Sequence, residues 1–315
     1  MSIEREVKFR SGSLHLAGTL TLPDGEGPWP GVLLIPGSGQ VDRNEDAKKL
    51  AIDAFREAAE YLAEHGIVTL RYDKRGVGAS EGDFYDTGFF DNVSDASSAL
   101  AFLKSHEKIQ PDLAFLMGHS EGALIATRLA GTGADVAGII LLAGTARPGE
   151  EVMKWQAQQV VNGLHGFRKG LIDLLHIDVQ KSVAKQLDKI KRSTKNSYRK
   201  QLVARVNAKW MREFLAYDPA ADLPNIHVPV LAITGSKDIQ VNPADLERMA
   251  ELVPAEFEAH ELPDITHMLR AESGEPTMST YKNQVLQPVD SRIFTIVTRW
   301  MVAHVPARVS AGMQA

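Results

Sequence analysis

The chain has 315 residues, a formal net charge of −5 and a sequence pI near 6.1. A chain of this length buries about three quarters of its unfolded surface when it folds, so a large core needs no covalent crosslinks. The sequence contains no cysteine, which excludes disulfide bonds, a cysteine nucleophile and thiolate metal sites. Its acidic balance excludes a general attraction for nucleic acid, so we expect no nucleic-acid partner.

The sequence carries no signal for export or for membrane insertion. Charged residues interrupt the first ten positions, so they contain no apolar run of the length that a signal peptide needs. The longest apolar stretch, around Val136–Ala143, is far shorter than the roughly 18 residues of a spanning helix. We therefore expect a cytoplasmic protein without stable membrane insertion.

Six short apolar segments bounded by turn residues have the length of β-strands. In chain order they are Leu14–Leu22, Gly31–Pro36, Ile67–Tyr72, Leu113–Met117, Val136–Ala143 and Val228–Thr234. Only Ser11-Gly12-Ser13 links the first of these to the strand-like segment before it, and this link is too short for a crossover helix. We expect an antiparallel hairpin there, at the edge of the sheet.

Amphipathic segments of helix length alternate with these strands, at Asp46–His65, Asp91–His106 and Glu121–Ala130. The alternation predicts an α/β fold with a mostly parallel central sheet and helices on both faces. From about Arg147 to Asp222 the pattern becomes helical and shows no convincing strand. The predicted organisation is a core at residues 1–146 and 223–306, an inserted helical cap at 147–222 and a flexible tail at 307–315.

The segment Leu113–Gly122 joins an apolar strand to the pattern Gly-x-Ser-x-Gly and runs directly into a helical segment. This arrangement resembles the nucleophile elbow of α/β-hydrolases. A serine in such a strained turn needs glycine on both sides, because side chains at Gly118 and Gly122 would collide with neighbouring backbone. The following helix points backbone N–H groups at developing negative charge. The pattern therefore predicts Ser120 as the nucleophile.

A carboxylate that orients the catalytic base is expected after a later strand. The strand segment that ends at Thr234 is followed by Gly235-Ser-Lys-Asp238, which supplies a glycine turn and a carboxylate. Asp222 and Asp264 are weaker rivals for this role. We predict Asp238 as the acid.

Ten histidines are candidates for the base. His267 follows one more strand-like segment and a Pro-Asp turn, whereas His260 lies within that segment and His119 adjoins the nucleophile. These two positions are more typical of structural or pocket-lining residues. His267 can take the proton of Ser120 and return it to the leaving group while Asp238 fixes its tautomer. The order Ser, Asp, His resembles the α/β-hydrolase triad.

The segment Gly31–Pro36 ends in an open turn, Gly37-Ser38-Gly39. Backbone N–H groups in such a turn stabilise the oxyanion of a tetrahedral intermediate. We expect Ser38 or Gly39 to donate one N–H group to this oxyanion hole and Glu121 to donate the other. A phosphate-binding loop is disfavoured because the turn lacks the Gly-Lys-Ser/Thr motif.

Two further segments, Pro36–Asn44 and Arg71–Ser80, accompany the triad, and Leu215–Pro219 precedes the strand of the acid. Together they resemble bacterial carboxylesterases of the α/β-hydrolase family, over the core more than over the insert. The resemblance implies an α/β-hydrolase fold and hydrolysis of small-molecule esters with no cofactor and no metal. Pro36-Gly37 replaces the family's usual His-Gly, so the donor in the oxyanion turn stays undecided.

Three charged residues of these motifs, Arg43, Asp73 and Arg75, lie close together in motif position. We predict that they form a buried ion network behind the oxyanion turn rather than contact the substrate directly. Substituting them is expected to damage folding first.

The segment Lys181–Arg212 contains eleven basic residues and one acidic residue, so its net charge is +10 and the rest of the chain carries −15. This basic surface either steers acidic substrates or forms a solvated face that docks on the core. Apolar residues of the insert either cover an acyl pocket or form the core of the cap. They are Trp155, Phe167, Leu171, Leu174, Leu175, Trp210, Phe214 and Leu215.

The leading hypothesis is a carboxylesterase that cleaves esters of short to medium acyl chain through an acyl-enzyme intermediate. A serine peptidase, a thioesterase and a carbon–carbon bond hydrolase use the same triad. A non-catalytic hydrolase-like binding protein and a lipase activated at an anionic lipid surface are weaker alternatives. The sequence is compatible with a homodimer.

Overall fold

The computed structural model describes residues 2–163, 179–200 and 204–306. The strands are β1 Ile3–Ser11, β2 Leu14–Leu22, β3 Trp29–Ile35, β4 Val68–Tyr72, β5 Ile109–His119, β6 Gly138–Leu142, β7 Ser197–Lys200, β8 Ala204–Asn207, β9 Val230–Gly235 and β10 Phe257–Leu262. The helices are α1 Ala54–Glu64, α2 Phe89–Ser105, α3 Glu121–Gly131, α4 Gly149–Asn162, α5 Val179–Lys191, α6 Ala208–Ala216, α7 Asp245–Leu252, α8 Tyr281–Gln284 and α9 Ser291–Ala303.

Eight of the strands form one sheet in the order β1-β2-β4-β3-β5-β6-β9-β10. The strands β1 and β2 form the expected antiparallel hairpin, and β2 is also antiparallel to β4. From β4 to β10 every neighbouring pair is parallel. The mostly parallel sheet is confirmed, and each of the six predicted strand segments overlaps a strand of it.

Alternate residues of the central strand β5 enter two separate hydrophobic clusters on opposite faces of the sheet. Leu116 packs in the cluster that contains Ala126 of α3, whereas Phe115 packs in the cluster that contains Phe55 of α1 and Trp300 of α9. Burying each large apolar side chain stabilises the fold by about 1.5–3 kcal/mol. Both faces are therefore covered by helices, as a parallel sheet requires.

The predicted helix Asp46–His65 begins later than expected, at Ala54. Side chains hold the preceding residues in a loop, since Asp46 Oδ1 accepts the backbone N–H of Asp53 at 2.7 Å. Glu45 and Asp53 also have left-handed backbone angles, with φ of 69° and 54°, which no α-helix contains. Local hydrogen bonding therefore competes with the helix at its predicted start.

The insert between β6 and β9 contains α4, α5 and α6, and it also contains a short antiparallel hairpin of β7 and β8. The prediction that this segment lacks strands is therefore wrong. Each strand has only four residues, so its two-residue period is too short to detect from the sequence. The predicted apolar residues Phe167, Leu171, Leu174 and Leu175, and the predicted tail 307–315, lie outside the described residues.

Within the described ranges, no helix combines the length and the apolar character needed to cross a membrane.

Candidate active site

Ser120 lies in a tight turn between β5 and α3, with φ 55° and ψ −113°. A Cβ atom on Gly118 would lie 2.1 Å from the carbonyl oxygen of Gly122, and one on Gly122 would lie 1.9 Å from that of Ile35. Neither position accepts a side chain, which is the steric reason for the Gly-x-Ser-x-Gly pattern. The backbone N–H of Ser120 donates to the carbonyl of Leu142 at 2.9 Å, and this bond fixes the turn against β6.

The structure brings Ser120, His267 and Asp238 together in one hydrogen-bonded chain. His267 Nε2 lies 3.0 Å from Ser120 Oγ, and His267 Nδ1 lies 2.8 Å from Asp238 Oδ2. The other carboxylate oxygen of Asp238 accepts the backbone N–H groups of Gln240 and Val241 at 2.7 and 2.9 Å. The carboxylate therefore fixes the proton on Nδ1 and leaves Nε2 able to accept the proton of Ser120.

The rival residues lie elsewhere in other interactions. Asp222 accepts hydrogen bonds from Arg128 and Tyr217, both at 2.8 Å, behind α3. Asp264 pairs with Lys237 at the surface. His260 pairs with Glu258 on β10 at 2.6 Å. None of these residues contacts Ser120.

Ser38 and Glu121 line a cavity of about 70 Å³ together with Ser120. Gly39 does not line this cavity, and a side chain placed on it would meet open space. Of the two predicted donors in the turn, Ser38 is therefore the one near the nucleophile. Glu121 is the first residue of α3, where backbone N–H groups have no acceptor within the helix.

A buried lysine that the sequence reasoning missed links the oxyanion turn to the elbow. Lys74 Nζ donates to the carbonyl of Gly37 and to the Glu121 carboxylate, both at 2.8 Å. The same carboxylate accepts from Asn92 at 2.9 Å and from the indole of Trp210 at 2.7 Å. Side chains from the turn after β4, from α2 and from the insert therefore meet at the carboxylate of this α3 residue. The sequence signal for this contact is the position of Lys74 between Asp73 and Arg75, two charged residues of the motif segment Arg71–Ser80.

Arg43 and Asp73 pair as predicted, with contacts of 3.0 and 2.8 Å between guanidinium and carboxylate. Burial by itself raises the pKa of Asp73, but the hydrogen bonds from Arg43 hold that pKa below its ordinary value. Arg75 does not join them. It pairs with Asp95 at 2.7 Å, so the prediction of one network of three residues is wrong. The pairs are separate because Arg75 points toward α2.

A larger cavity of about 410 Å³ lies beneath the insert and shares Met153, Gln156 and Gln240 with the cavity at Ser120. Most of its walls are apolar, and its only described polar side chains are amides and one phenol. Its described lining consists of Met153, Gln156, Ala157, Val160, Val183, Gln186, Leu187, Ile190, Tyr198, Val206, Met211, Ile239, Gln240 and Met278. The smaller cavity is lined by Trp210 and Phe214, whereas Leu215 packs with Leu187 in the cap. Some apolar residues of the insert thus line the cavity at Ser120, and others pack with one another.

No cluster of three or more histidine, aspartate or glutamate side chains that could hold a metal ion occurs in the described part of the chain.

A family model described as "Serine aminopeptidase, S33" matches residues 51–274, which is more than half of the chain. The chain belongs to this serine aminopeptidase S33 family. The matched range of this S33 protein includes Ser120, Asp238 and His267. A curated relative, Esterase EstD from Thermotoga maritima, is 29% identical over 289 residues. That alignment covers 91% of this chain and 65% of the relative, so the S33 chain spans less than two thirds of the relative's length.

Solved structures show the same fold at low sequence identity. Est1E from Butyrivibrio proteoclasticus, with ferulic acid bound, has a TM-score of 0.64 at 16% identity, and the alignment covers 95% of this chain and 98% of the Est1E chain. The α/β hydrolase GrgF from a Penicillium species has a TM-score of 0.62 at 18% identity, with 96% and 99% covered. Proline iminopeptidase from Mycobacterium smegmatis has a TM-score of 0.63 at 14% identity, with 95% and 98% covered. The predicted α/β-hydrolase fold of this S33 protein is confirmed.

Proposed function

We propose that this protein is a serine hydrolase that cleaves carboxylic esters of short to medium acyl chain through an acyl-enzyme intermediate. The observation that carries the proposal is the continuous hydrogen-bonded chain from Ser120 through His267 to Asp238. Membership of the S33 family and the likeness to an esterase add support. We further propose that it acts in the cytoplasm on small-molecule esters.

The geometry supports a two-step reaction. As Ser120 Oγ bonds to the ester carbonyl carbon, His267 Nε2 takes the hydroxyl proton, and the carbonyl oxygen becomes an oxyanion. The backbone N–H groups of Ser38 and Glu121 donate to that oxyanion. When the intermediate collapses, the alkoxy group leaves with the proton from His267. Water then attacks the acyl-serine with His267 as its base, and the acid and free Ser120 are released.

Asp238 keeps its charge throughout. It stabilises the imidazolium form of His267 and holds the ring in the tautomer that accepts from Ser120. No redox or metal step is part of the proposed reaction, since every proton and bond in it is supplied by the ester, water and these residues.

The cavity of about 410 Å³ favours an apolar chain on the ester. A volume of about 410 Å³ is within the range of small-molecule sites, and its walls are largely aliphatic and thioether side chains. Each methylene that fits such a site contributes about 1–3 kcal/mol to discrimination between substrates. We therefore expect the preferred acyl chain to be one that reaches from Ser120 past Met153 and Gln156 into the larger cavity.

An aminopeptidase is the second candidate, because the family description names that activity. An aminopeptidase binds a protonated amino group, which calls for a free carboxylate in the site. Among the described residues that line the two cavities, Glu121 is the only one with a carboxylate. Its oxygens already accept from Lys74, Asn92 and Trp210, so an uncharged ester fits better.

The deciding experiment is hydrolysis of p-nitrophenyl esters from acetate to laurate, alongside aminoacyl p-nitroanilides, thioesters and a vinylogous diketone. We expect ester turnover with an optimum at short to medium chains. Ser120→Ala should lower kcat by about 10⁴-fold or more, because the serine and histidine act as one unit. Ser105→Ala, which changes an exposed serine on α2, should keep full activity.

Serine-dependent cleavage of the anilides with no ester turnover would replace the esterase proposal with the peptidase. Absence of turnover on every substrate would favour a binding protein. Ester turnover that rises only when anionic vesicles are added would favour the surface-activated lipase.

A further inference from the structure

Glu45 and His119 form a buried pair beside the proposed catalytic residues. Glu45 is 1% exposed and His119 is 3% exposed. His119 Nδ1 lies 3.1 Å from Glu45 Oε1 and 3.0 Å from Oε2. Only the contact to Oε1 has hydrogen-bond geometry, so the other is an ion-pair contact. Glu45 also holds a left-handed backbone, with φ 69°, which an α-carbon with a side chain rarely adopts.

The pair contacts the oxyanion turn on one side. Glu45 Oε1 accepts the backbone N–H of Gly37 at 2.7 Å. The backbone carbonyl of Gly37 accepts from Lys74 Nζ at 2.8 Å. Gly37 is thus held by a negative group at its N–H and a positive group at its carbonyl. Because Ser38 follows directly, these contacts fix the direction of the Ser38 N–H group.

The pair contacts the loop of the base on the other side. His119 Nε2 lies 3.0 Å from the backbone carbonyl oxygen of His267, and the two rings are 4.9 Å apart at 40°. His119 also precedes Ser120 in the elbow. One buried pair therefore touches the oxyanion turn, the elbow and the loop that carries the base, three segments far apart in sequence.

The partners of His119 fix its proton count. A carbonyl oxygen only accepts, so Nε2 must carry a proton, and an ionised carboxylate only accepts, so Nδ1 must carry one too. The Nδ1 proton could instead sit on the Glu45 carboxylate, which would make His119 neutral and Glu45 protonated. In either arrangement the pair is neutral overall, and it holds one proton more than a neutral histidine beside an ionised glutamate.

Burial by itself lowers the pKa of His119, but the charge and the hydrogen bond of Glu45 raise that pKa above its ordinary value. Asp238 and the carbonyl of His267 act in the same direction. The charged groups that act on the pair are the carboxylate of Asp238, which faces His119, and the guanidinium of Arg270, which interacts with Glu45; the ring of His267 packs beside His119. The shared proton is therefore lost only as pH rises through this raised pKa. Its loss leaves an unpaired buried carboxylate beside Gly37.

We propose that Glu45 and His119 are positioning residues that hold the oxyanion turn and the backbone of His267 in register through the proton they share. This inference rests on the proposed function, because it assigns the pair a role in the same reaction. Neither residue touches the reacting atoms. A displacement of about 1 Å in residues that position an active site lowers the rate by about 10²-fold, since the backbone N–H donors then no longer reach the oxyanion.

The test measures the rate at which a fluorophosphonate probe labels Ser120, followed by intact mass spectrometry, together with kcat and KM for the best ester. Glu45→Ala leaves Gly37 N–H and His119 Nδ1 without their acceptor. We expect it to lower kcat and the limiting labelling rate by about 10- to 100-fold. The KM and the probe's half-saturation concentration should change by less than about threefold, because the apolar cavity is untouched.

Glu45→Gln is the conservative variant. Its amide oxygen can accept from Gly37 in the place of Oε1. A small rotation of the amide lets its nitrogen donate to Nδ1 from the place of Oε2, and His119 then keeps its Nε2 proton as a neutral ring. We expect it to restore most of the rate that Glu45→Ala loses. The wild-type rate should fall at alkaline pH as the shared proton leaves, and this fall should be absent in Glu45→Gln, which has no such proton to lose.

The control is Asp46→Asn, which changes the neighbouring carboxylate. Asp46 accepts the backbone N–H of Asp53 and does not contact the turn. We expect a lower unfolding temperature with an unchanged labelling rate.

Equal labelling of wild type and Glu45→Ala would overturn the proposal, and so would equal losses in Glu45→Ala and Glu45→Gln. If Glu45→Ala fails to fold, Glu45→Gln decides, since an alkaline fall that persists in it would also overturn the proposal. Failure of the probe to label the wild type at all would instead reject the proposed function.

Discussion

Ser120 holds a backbone conformation that side-chain-bearing residues rarely adopt, and its surroundings explain how the fold tolerates it. The strand before it and the helix after it are buried on both sides, so the strain is held by packing. The glycine pattern signals this turn in sequence because the steric need is local. The partners of Glu45 and Lys74 give no such signal, because Lys74 meets Glu121 from 47 positions away and Glu45 meets His119 from 74.

Asp238→Asn tests the orienting role at the scale of one atom. The asparagine amide would donate to His267 Nδ1, which forces the ring proton onto Nε2 and removes the acceptor for Ser120. We expect kcat to fall by about 10⁴-fold with little change in KM or in the unfolding temperature. Asp264→Asn, at the surface, should leave kcat unchanged. A loss of tenfold or less at Asp238 would contradict an orienting role for this carboxylate.

Glu121 joins several elements through its carboxylate. It accepts hydrogen bonds from Lys74 in the turn after β4, from Asn92 of α2 and from Trp210 of α6 in the insert. The insert is attached there and also at the N-terminus of α2, where Lys209 pairs with Asp91 at 2.6 Å. The ion pair of Lys74 and Glu121 is buried, so it stabilises only while both members remain, since each alone is an unsolvated charge. The Glu121 carboxylate therefore links the insert to Lys74, which holds the oxyanion turn through the carbonyl of Gly37.

Lys74→Met removes the cation from that cluster. We expect it to lower the free energy of unfolding by about 3–5 kcal/mol, because Glu121 is left buried and charged. The measurement is urea-induced unfolding followed by tryptophan fluorescence. Lys74→Met combined with Glu121→Gln should recover part of the loss, since no unpaired charge then remains. Equal stability of wild type and Lys74→Met would show that Glu121 is not held as an ion.

At the scale of elements, the sequence predicted the sheet well and the irregular parts poorly. Long apolar strands such as β5 are specified by their own composition. The start of α1 depends instead on loop hydrogen bonds from Asp46, and the hairpin of β7 and β8 depends on contacts with the rest of the insert. Helix or strand period alone does not encode such contacts. The same reason explains why the pairing of Arg75 with Asp95 was missed.

The charge of the whole molecule is divided between a basic insert and an acidic core, and the described basic residues differ in whether they form salt bridges. Three basic residues dock on acidic partners outside the basic segment: Lys191 on Glu150, Arg205 on Asp83 and Lys209 on Asp91. Five others form no salt bridge with a described residue: Lys185, Lys189, Arg192, Lys195 and Arg199. Lys189, Lys195 and Arg199 line a cleft of about 600 Å³. This cleft shares Gln186, Ile190 and Tyr198 with the apolar cavity.

This continuity predicts a preference that salt can reveal. An ester whose apolar chain ends in a carboxylate should have a higher kcat/KM at low ionic strength than its uncharged isostere. That advantage should fall by about tenfold in concentrated salt, because exposed charges are screened. Lys189→Glu with Lys195→Glu should remove the advantage and leave the uncharged ester unaffected, whereas Lys8→Glu on β1 should change neither. Equal salt dependence for both esters would assign the basic face to solvation alone, since steering acts only on a charged substrate.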